Sequence, residues 1–394
     1  MANDDFDVLD TTIDTLGEAR INSPILKELL GADESIFRNE TENVLVQVHP
    51  QRIIDMIEAG KIPPAFEQAG PRKKIYFDPS KLKCAVTTCG GLCPGLNNII
   101  RSIVLELHYI YGVKHIYGFP YGLQGFVPEY RHEVVELTPA RVVNIHEMGG
   151  TILGSSRGPQ DIDVIVDCLE RMNIGILFMI GGDGTLMAAS IINRTIKKRG
   201  LKISVICIPK TIDNDIHMVS KSFGFDSAVD IATAAVKGAH KEAEGYPNGI
   251  GLIKLMGRYS GFIAATAALA QQDVNFVLIP EIDFDLEGEN GLLKKLEERL
   301  EKRKHAVILI AEGAGQKFFE KHEKQYDASG NIKLHDIGLY LKDRINEYFK
   351  NRKMEISLKY IDPSYMVRSL PANSNDHVYC TFLGRDAVHA GMAG

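Results

Sequence analysis

The stretch IGILFMIGGDGTL, residues 174–186, decides the fold. Apolar residues fill every position from Ile176 to Ile180. Unbroken apolarity over so short a run fits a strand covered on both faces, and it is too short for a buried helix. The run ends in Gly181, Gly182 and Gly184 around Asp183. Glycines there let the chain turn tightly and let backbone approach a ligand closely.

Further short apolar runs lie on either side: KLKCAVTTC (81–89), KISVICIPK (202–210), GIGLIKLMG (249–257), VNFVLIPE (274–281) and HAVILIAEG (305–313). Helix-like stretches separate many of them, among them 96–112 and 226–244. Strand–helix alternation predicts an α/β fold with mainly parallel sheets. The unusual polar residues cluster just after these strands, and in open parallel sheets ligands bind outside the carboxyl ends of strands. Several loops are therefore expected to converge on one cleft. Residues 1–80 are more charged and are broken by KIPPAFEQAGPRKK, so they read as an arm or small subdomain.

The 394 residues carry 45 Lys+Arg against 51 Asp+Glu, a formal charge of −6, which argues against a nucleic-acid partner. The acidic start lacks the order of a signal peptide, and no apolar run reaches the roughly 20 residues of a membrane span. A cytoplasmic protein with no membrane partner is expected. Cys84, Cys168 and Cys207 sit in apolar runs; Cys89 and Cys93 flank glycines, with no second pair or His cluster to complete a zinc set.

Two loops suit phosphate. TTCGGLCPGLNNIIR (87–101) turns at Gly90 and Gly91 into an amphipathic helix, whose free N–H groups and dipole favour an anion. It is neither a Walker A loop nor G-x-G-x-x-G. GGDGTL adds Asp183, which either holds Mg²⁺ beside a phosphate chain or caps the next helix. Together the loops point towards a nucleoside triphosphate. In IPKTIDNDI (208–216), Asp213 and Asp215 lie two apart and share a side if the segment is extended. One carboxylate would then serve as general base and the other the metal, or the segment forms an Asx-type turn. Arg157, Arg258 and Arg368 offer forks for phosphate oxygens, and Glu312 an acceptor for sugar hydroxyls.

GGLCPGLNNIIR, LGSSRGP, GGDGT, PKTIDND, MGRYSGFIA, PEIDF, AEGAG and KYIDPSYMVR follow one another in the order found in the phosphofructokinases. From about residue 75 onward the chain resembles that family, and its long N-terminus and KYIDPSYMVR resemble the long type of trypanosomes, plants and some bacteria. PKTIDND followed by MGR is the specific signature; GGDGT also occurs in NAD and lipid kinases. The resemblance implies two Rossmann-like three-layer domains, 81–224 plus 367–394 for the nucleotide and 225–366 for the sugar phosphate, with the active site between them. It implies transfer of the ATP γ-phosphoryl group to the 1-hydroxyl of fructose 6-phosphate, with Mg²⁺, in glycolysis.

By the same resemblance, Asp213 is the general base, assisted by Thr211, Lys210 and Arg157. Gly90, Gly91, Arg157, Gly182, Asp183, Gly184 and Thr185 border the nucleotide, and Asp183 and Asp215 serve Mg²⁺. Thr211, Asp213, Asp215, Met256, Gly257, Arg258, Glu312, Lys359, Tyr365 and Arg368 bind the sugar phosphate. Lys359 stands where short relatives have an arginine that reaches a neighbouring subunit's site. A regulated homotetramer or homodimer is implied. FLGRDAVHAGMAG (382–394) reads as a helix where relatives continue into another strand, which suggests a shortened chain or one cut at that point.

The donor is either ATP or pyrophosphate. Pyrophosphate-using members carry aspartate where this chain has Gly184. Beside the α-phosphate of ATP, that carboxylate would meet like charge at a cost of roughly 4 kcal/mol at about 4 Å and an effective dielectric of about 20. Lys210 occurs in pyrophosphate enzymes and in long ATP enzymes alike. Gly184 therefore points to ATP. Rival readings are a NAD or lipid kinase built on GGDGTL, and a non-catalytic subunit that binds sugar phosphate.

Overall fold

The computed structural model describes residues 9–25, 36–39, 41–320, 325–326 and 332–394. Two short antiparallel ribbons open the chain: β1 (Ile21–Asn22) with β4 (Lys74–Ile75), and β2 (Asn43–Leu45) with β3 (Ala65–Glu67). Helix α1 (Pro50–Glu58) lies between β2 and β3 in sequence.

The first large sheet contains β5 (Lys83–Thr88), β6 (His115–Phe119), β7 (Val135–Glu136), β8 (Ile176–Gly181) and β9 (Ser204–Pro209), in the order β7-β6-β5-β8-β9. All its pairings are parallel except that of the edge strand β7. The second sheet is wholly parallel, with order β11-β12-β10-β13 from β10 (Gly249–Leu255), β11 (Phe276–Leu278), β12 (His305–Ala311) and β13 (Ser357–Ile361). The mainly parallel α/β expectation is met.

Successive strand residues face opposite ways, so each buried strand feeds two cores. On one face of the first sheet, Ala85, Leu177 and Met179 pack with helices α3 (Ile162–Arg171) and α4 (Asp183–Lys198). On the other face, Val86, Phe178 and Ile180 join a central core. That core holds α2 (Leu96–Leu105), α5 (Phe225–Glu244), α6 (Phe262–Gln271) and the inner face of the second sheet. The outer face of the second sheet packs on α7 (Leu292–Arg303) and α8 (Ile337–Asn351). Each sheet is thus the middle of three layers, and double coverage explains the unbroken apolar runs.

After the short helix α9 (Ser364–Ser369), α10 (Ser374–Ala393) returns to pack on α2 and β9. Asp376 of α10 is buried and accepts from the Ser227 N–H at 2.8 Å and hydroxyl at 2.5 Å, tying α10 to the start of α5. The end of α10 is tied to the arm: Tyr76 N–H donates to Met392 at 2.8 Å and Leu16 N–H to Gly394 at 2.7 Å. No described helix is long and apolar enough to cross a membrane.

Two expected elements differ. The stretch 96–112 is α-helical only to Leu105 and continues as a π-helical turn, Glu106–Ile110. The segment carrying Asp213 and Asp215 is a bend, with Asn214 in the left-handed region at φ 55°.

Candidate active site

The loops after β5, β8, β9, β10 and β12 meet at the carboxyl ends of the two sheets. Gly90 follows β5 at φ +81°, a conformation that side chains rarely adopt. The Ser155 hydroxyl donates to its carbonyl at 2.6 Å, and its own N–H donates to Ser156 at 3.1 Å. LGSSRGP is thereby stitched to the first glycine loop. A Cβ on Gly91 would stand 3.5 Å from a guanidinium nitrogen of Arg157 and 3.8 Å from one of Arg368. Two arginines distant in sequence thus converge on one loop.

Lys210 is buried beneath that loop, and its ammonium donates to the Gly91 carbonyl at 2.8 Å. Burial holds its pKa below the usual lysine range, and the Arg157 and Arg368 charges act in the same direction. Cys89 and Cys93 are free and buried, with thiols pushed up to about 11 and about 12 by burial.

At the second glycine loop, α4 begins at Asp183 with Gly182 as its cap and no side-chain capping bond. Asp183 is therefore not the cap. It is an exposed carboxylate in the first turn, on the positive end of the helix dipole. A Cβ on Gly184 would meet nothing within 4 Å. Thr185 follows Gly184 in the first turn of α4. It is buried, with its hydroxyl where a Cβ on Gly181 would stand.

The PKTIDND bend is held from several sides. The Thr211 hydroxyl donates to Asp215 at 2.7 Å and accepts from the Asp213 N–H at 3.1 Å. Ser222 donates its hydroxyl to the Thr211 carbonyl at 2.6 Å, and the Ser260 hydroxyl donates to the Asp213 carbonyl at 3.0 Å. Asn214 accepts from the Ser222 N–H at 2.7 Å. An Asx/ST-type turn is present, yet it consumes Thr211 and Asn214 and leaves the Asp213 carboxylate almost unused. Asp213 Oδ1 is shut from solvent without a hydrogen bond, and Oδ2 receives only a long 3.5 Å bond from the Arg258 N–H. Burial, reinforced by the Asp215 and Glu312 charges, pushes its pKa up to about 7.

That shift has a thermodynamic sign. The folded pKa exceeds the unfolded value, so ionisation opposes folding increasingly as pH rises from about 4 to about 7. Asp213→Asn removes the penalty. The variant is expected to melt several degrees above the parent at pH 8, with a smaller gain at pH 5. Calorimetry at both pH values checks this, and an equal gain at both would contradict it.

From the second sheet come Met256, Gly257 and Arg258 after β10, and Glu312 after β12. Gly257 has φ +131° and a Cβ there would stand 2.4 Å from the Ser260 carbonyl. Arg258 donates to the Ile332 carbonyl, while its Nε is buried without a partner. Glu312 is half-buried; burial raises its pKa, while the Lys254, Arg258 and Arg368 charges pull it back. Tyr365 is 75% exposed, and the Arg368 guanidinium lies 4.9 Å from its ring centroid.

Lys359 is not in the cleft of its own chain. It sits inside the edge strand β13, its ammonium 4.8 Å from the ring centroid of Tyr246. Lys254, in the strand before MGR, is a further group that orders the site. It bridges Asp336 at 2.8 Å and Asp362 at 2.9 Å. Burial alone would lower its pKa, but the two carboxylates hold it above the usual lysine range. The signal was the lone cation in the apolar run GIGLIKL, since a buried ammonium needs a partner.

The phosphofructokinase family pattern matches residues 83–391. The chain is 53% identical to an ATP-dependent 6-phosphofructokinase of Borreliella burgdorferi, over 98% of this chain and 87% of that one. It is 51% identical to ATP-dependent 6-phosphofructokinase 7 of Arabidopsis thaliana, covering 84% and 68%. An ATP-dependent 6-phosphofructokinase of Trypanosoma brucei brucei is 41% identical, covering 98% and 78%. In structure the chain is similar to a pyrophosphate-dependent phosphofructokinase of Marinobacter aquaeolei, with TM-score 0.65 over 79% and 76% of the two chains; at 21% identity that likeness concerns the fold alone. The chain belongs to the phosphofructokinase family.

Proposed function

We infer that this chain is an ATP-dependent 6-phosphofructokinase, which converts fructose 6-phosphate and ATP into fructose 1,6-bisphosphate and ADP. The observation that carries the reading is the Asp213 carboxylate, buried, with one oxygen unpartnered, and raised towards neutrality where the two sheets' loops meet. A general base works best with a pKa near the working pH. Asp213 takes the proton of the sugar 1-hydroxyl as that oxygen attacks the γ-phosphorus, and ADP leaves with the electron pair of the broken bond. Thr211 holds Asp215 beside it.

Positioning and charge supply most of the remaining catalysis of phosphoryl transfer. Gly90, Gly91, Gly182 and Gly184 border the nucleotide phosphates, with Arg157 and Lys210 as cations beneath and beside them. Thr185 supports the loop from inside. Asp183 and Asp215 are carboxylate donors, the oxygen ligands that Mg²⁺ prefers, and would hold the magnesium that accompanies ATP. Bound there, Mg²⁺ neutralises phosphate charge. Met256, Gly257, Arg258, Glu312, Tyr365 and Arg368 hold fructose 6-phosphate, with Arg368 able to serve either substrate. Lys359, on an edge strand, contributes to the site of a neighbouring copy in a homodimer or homotetramer. In this reading residues 81–224 with 367–394 carry the nucleotide and 225–366 the sugar phosphate, in the cytoplasm.

The test is ADP release with fructose 6-phosphate, NAD and diacylglycerol as parallel acceptors. Turnover with fructose 6-phosphate alone is expected. Turnover with NAD or the lipid, and none with the sugar phosphate, would overturn the reading.

A further inference from the structure

At the opposite end of the second sheet from these loops, His240, Glu244 and His305 come together among the described residues. His240 and Glu244 are one helical turn apart near the end of α5, and His305 begins β12. One nitrogen or oxygen from each lies within 4.8 Å of those of the other two. His240 Nε2 and Glu244 Oε1 are 3.4 Å apart. That matches the edge, about 3.3 Å, of a tetrahedron with zinc–ligand bonds of about 2.0–2.1 Å.

The other atoms of these side chains are already held. Lys241 occupies Glu244 Oε2 at 2.7 Å, leaving Oε1. Asp273 Oδ2 lies 3.3 Å from His240 Nδ1, leaving Nε2. His305 Nδ1 is 3.2 Å from the Arg303 carbonyl, leaving its Nε2 as well. A carboxylate behind a histidine fixes its tautomer and raises its basicity as a ligand. The site also sits at the C-terminal end of a 20-residue helix, where the backbone dipole favours a cation.

We propose that His240, Glu244 and His305 form a binding site for one zinc-class divalent cation, with Asp273 as the positioning residue behind His240. Two imidazoles and one carboxylate suit zinc, and suit magnesium poorly, since magnesium prefers oxygen. A small rotation of His305 closes the set, and water fills the fourth position. The cation would clamp the end of α5 to the start of β12. The site is separate from the catalytic cleft and does not depend on the proposed activity.

The test strips the full chain with a chelator, adds zinc chloride with excess magnesium, removes unbound metal and measures zinc per chain. About one zinc per chain is expected, with a rise in melting temperature. The double variant His240→Gln/His305→Gln is expected to lose both effects, and Asp273→Asn to weaken zinc about 10–100-fold. Melting in chelator shows whether the double variant is folded. If it is not, cobalt added to the parent chain gives a second readout: visible bands of nitrogen-ligated cobalt are expected. No retained zinc, equal retention by the folded double variant, or a cobalt spectrum of the aqueous ion would overturn the proposal.

Discussion

Asp213→Ser is expected to lower kcat by about 10²–10⁴, the range for losing a general base. The change corresponds to roughly 2.7–5.5 kcal/mol of barrier. The argument is local. The bend that carries Asp213 is fixed by Thr211, Asn214, Ser222 and Ser260, through bonds to the Asp213 backbone and to its neighbours. Its carboxylate makes no short hydrogen bond of its own. Substitution therefore leaves the scaffold in place and removes the proton acceptor. The parent's kcat/KM should rise with pH through an inflection near 7, because the ionised form is the active base. Glu312 is raised by burial too, so a flattened limb in Asp213→Ser is what assigns the inflection to Asp213. Steady-state kinetics with substrate varied from well below to well above KM measures both, and an unchanged kcat would remove this base from the account.

Gly184→Asp is expected to weaken the use of ATP by about 10²–10³ while leaving the fold intact. Gly184 lies in the first turn of α4, has no left-handed backbone angle, and faces open space at its Cβ position. Nothing in the protein resists the side chain. The new carboxylate would stand beside Asp183 and near the α-phosphate, where like charge costs roughly 4 kcal/mol at about 4 Å and an effective dielectric of about 20. Pyrophosphate has no α-phosphate with a nucleoside attached, so it escapes much of this cost. Equal ATP kinetics, in a variant that melts like the parent, would show that the donor is chosen elsewhere.

The most legible strands in the sequence are those buried on both faces. Ile176–Gly181 and residues 306–311 are apolar throughout because helices cover both sides of their sheets. The strands His115–Phe119 and Ser357–Ile361 were not legible, since each alternates or is half-exposed and shows no apolar run. The site residues were legible as types after strands, but their directions were not. Asp213 and Asp215 would share a side of an extended segment; the segment is instead a bend, with Asn214 in the left-handed region. Thr185 was legible as part of the glycine loop, but not that the tight approach of α4 to Gly181 buries its side chain. The convergence of Arg157 and Arg368 on Gly91 joins two loops and a helix, and only the packing of α10 and α9 against the first sheet and α5 could show it.

The most direct measurement supplies fructose 6-phosphate and Mg²⁺ to the full chain, with ATP in one tube and pyrophosphate in another, and measures fructose 1,6-bisphosphate. Product with ATP alone is the expected result, with Gly184 leaving room for the nucleotide. Product with pyrophosphate alone would contradict it, and would make Lys210 the better guide to the donor.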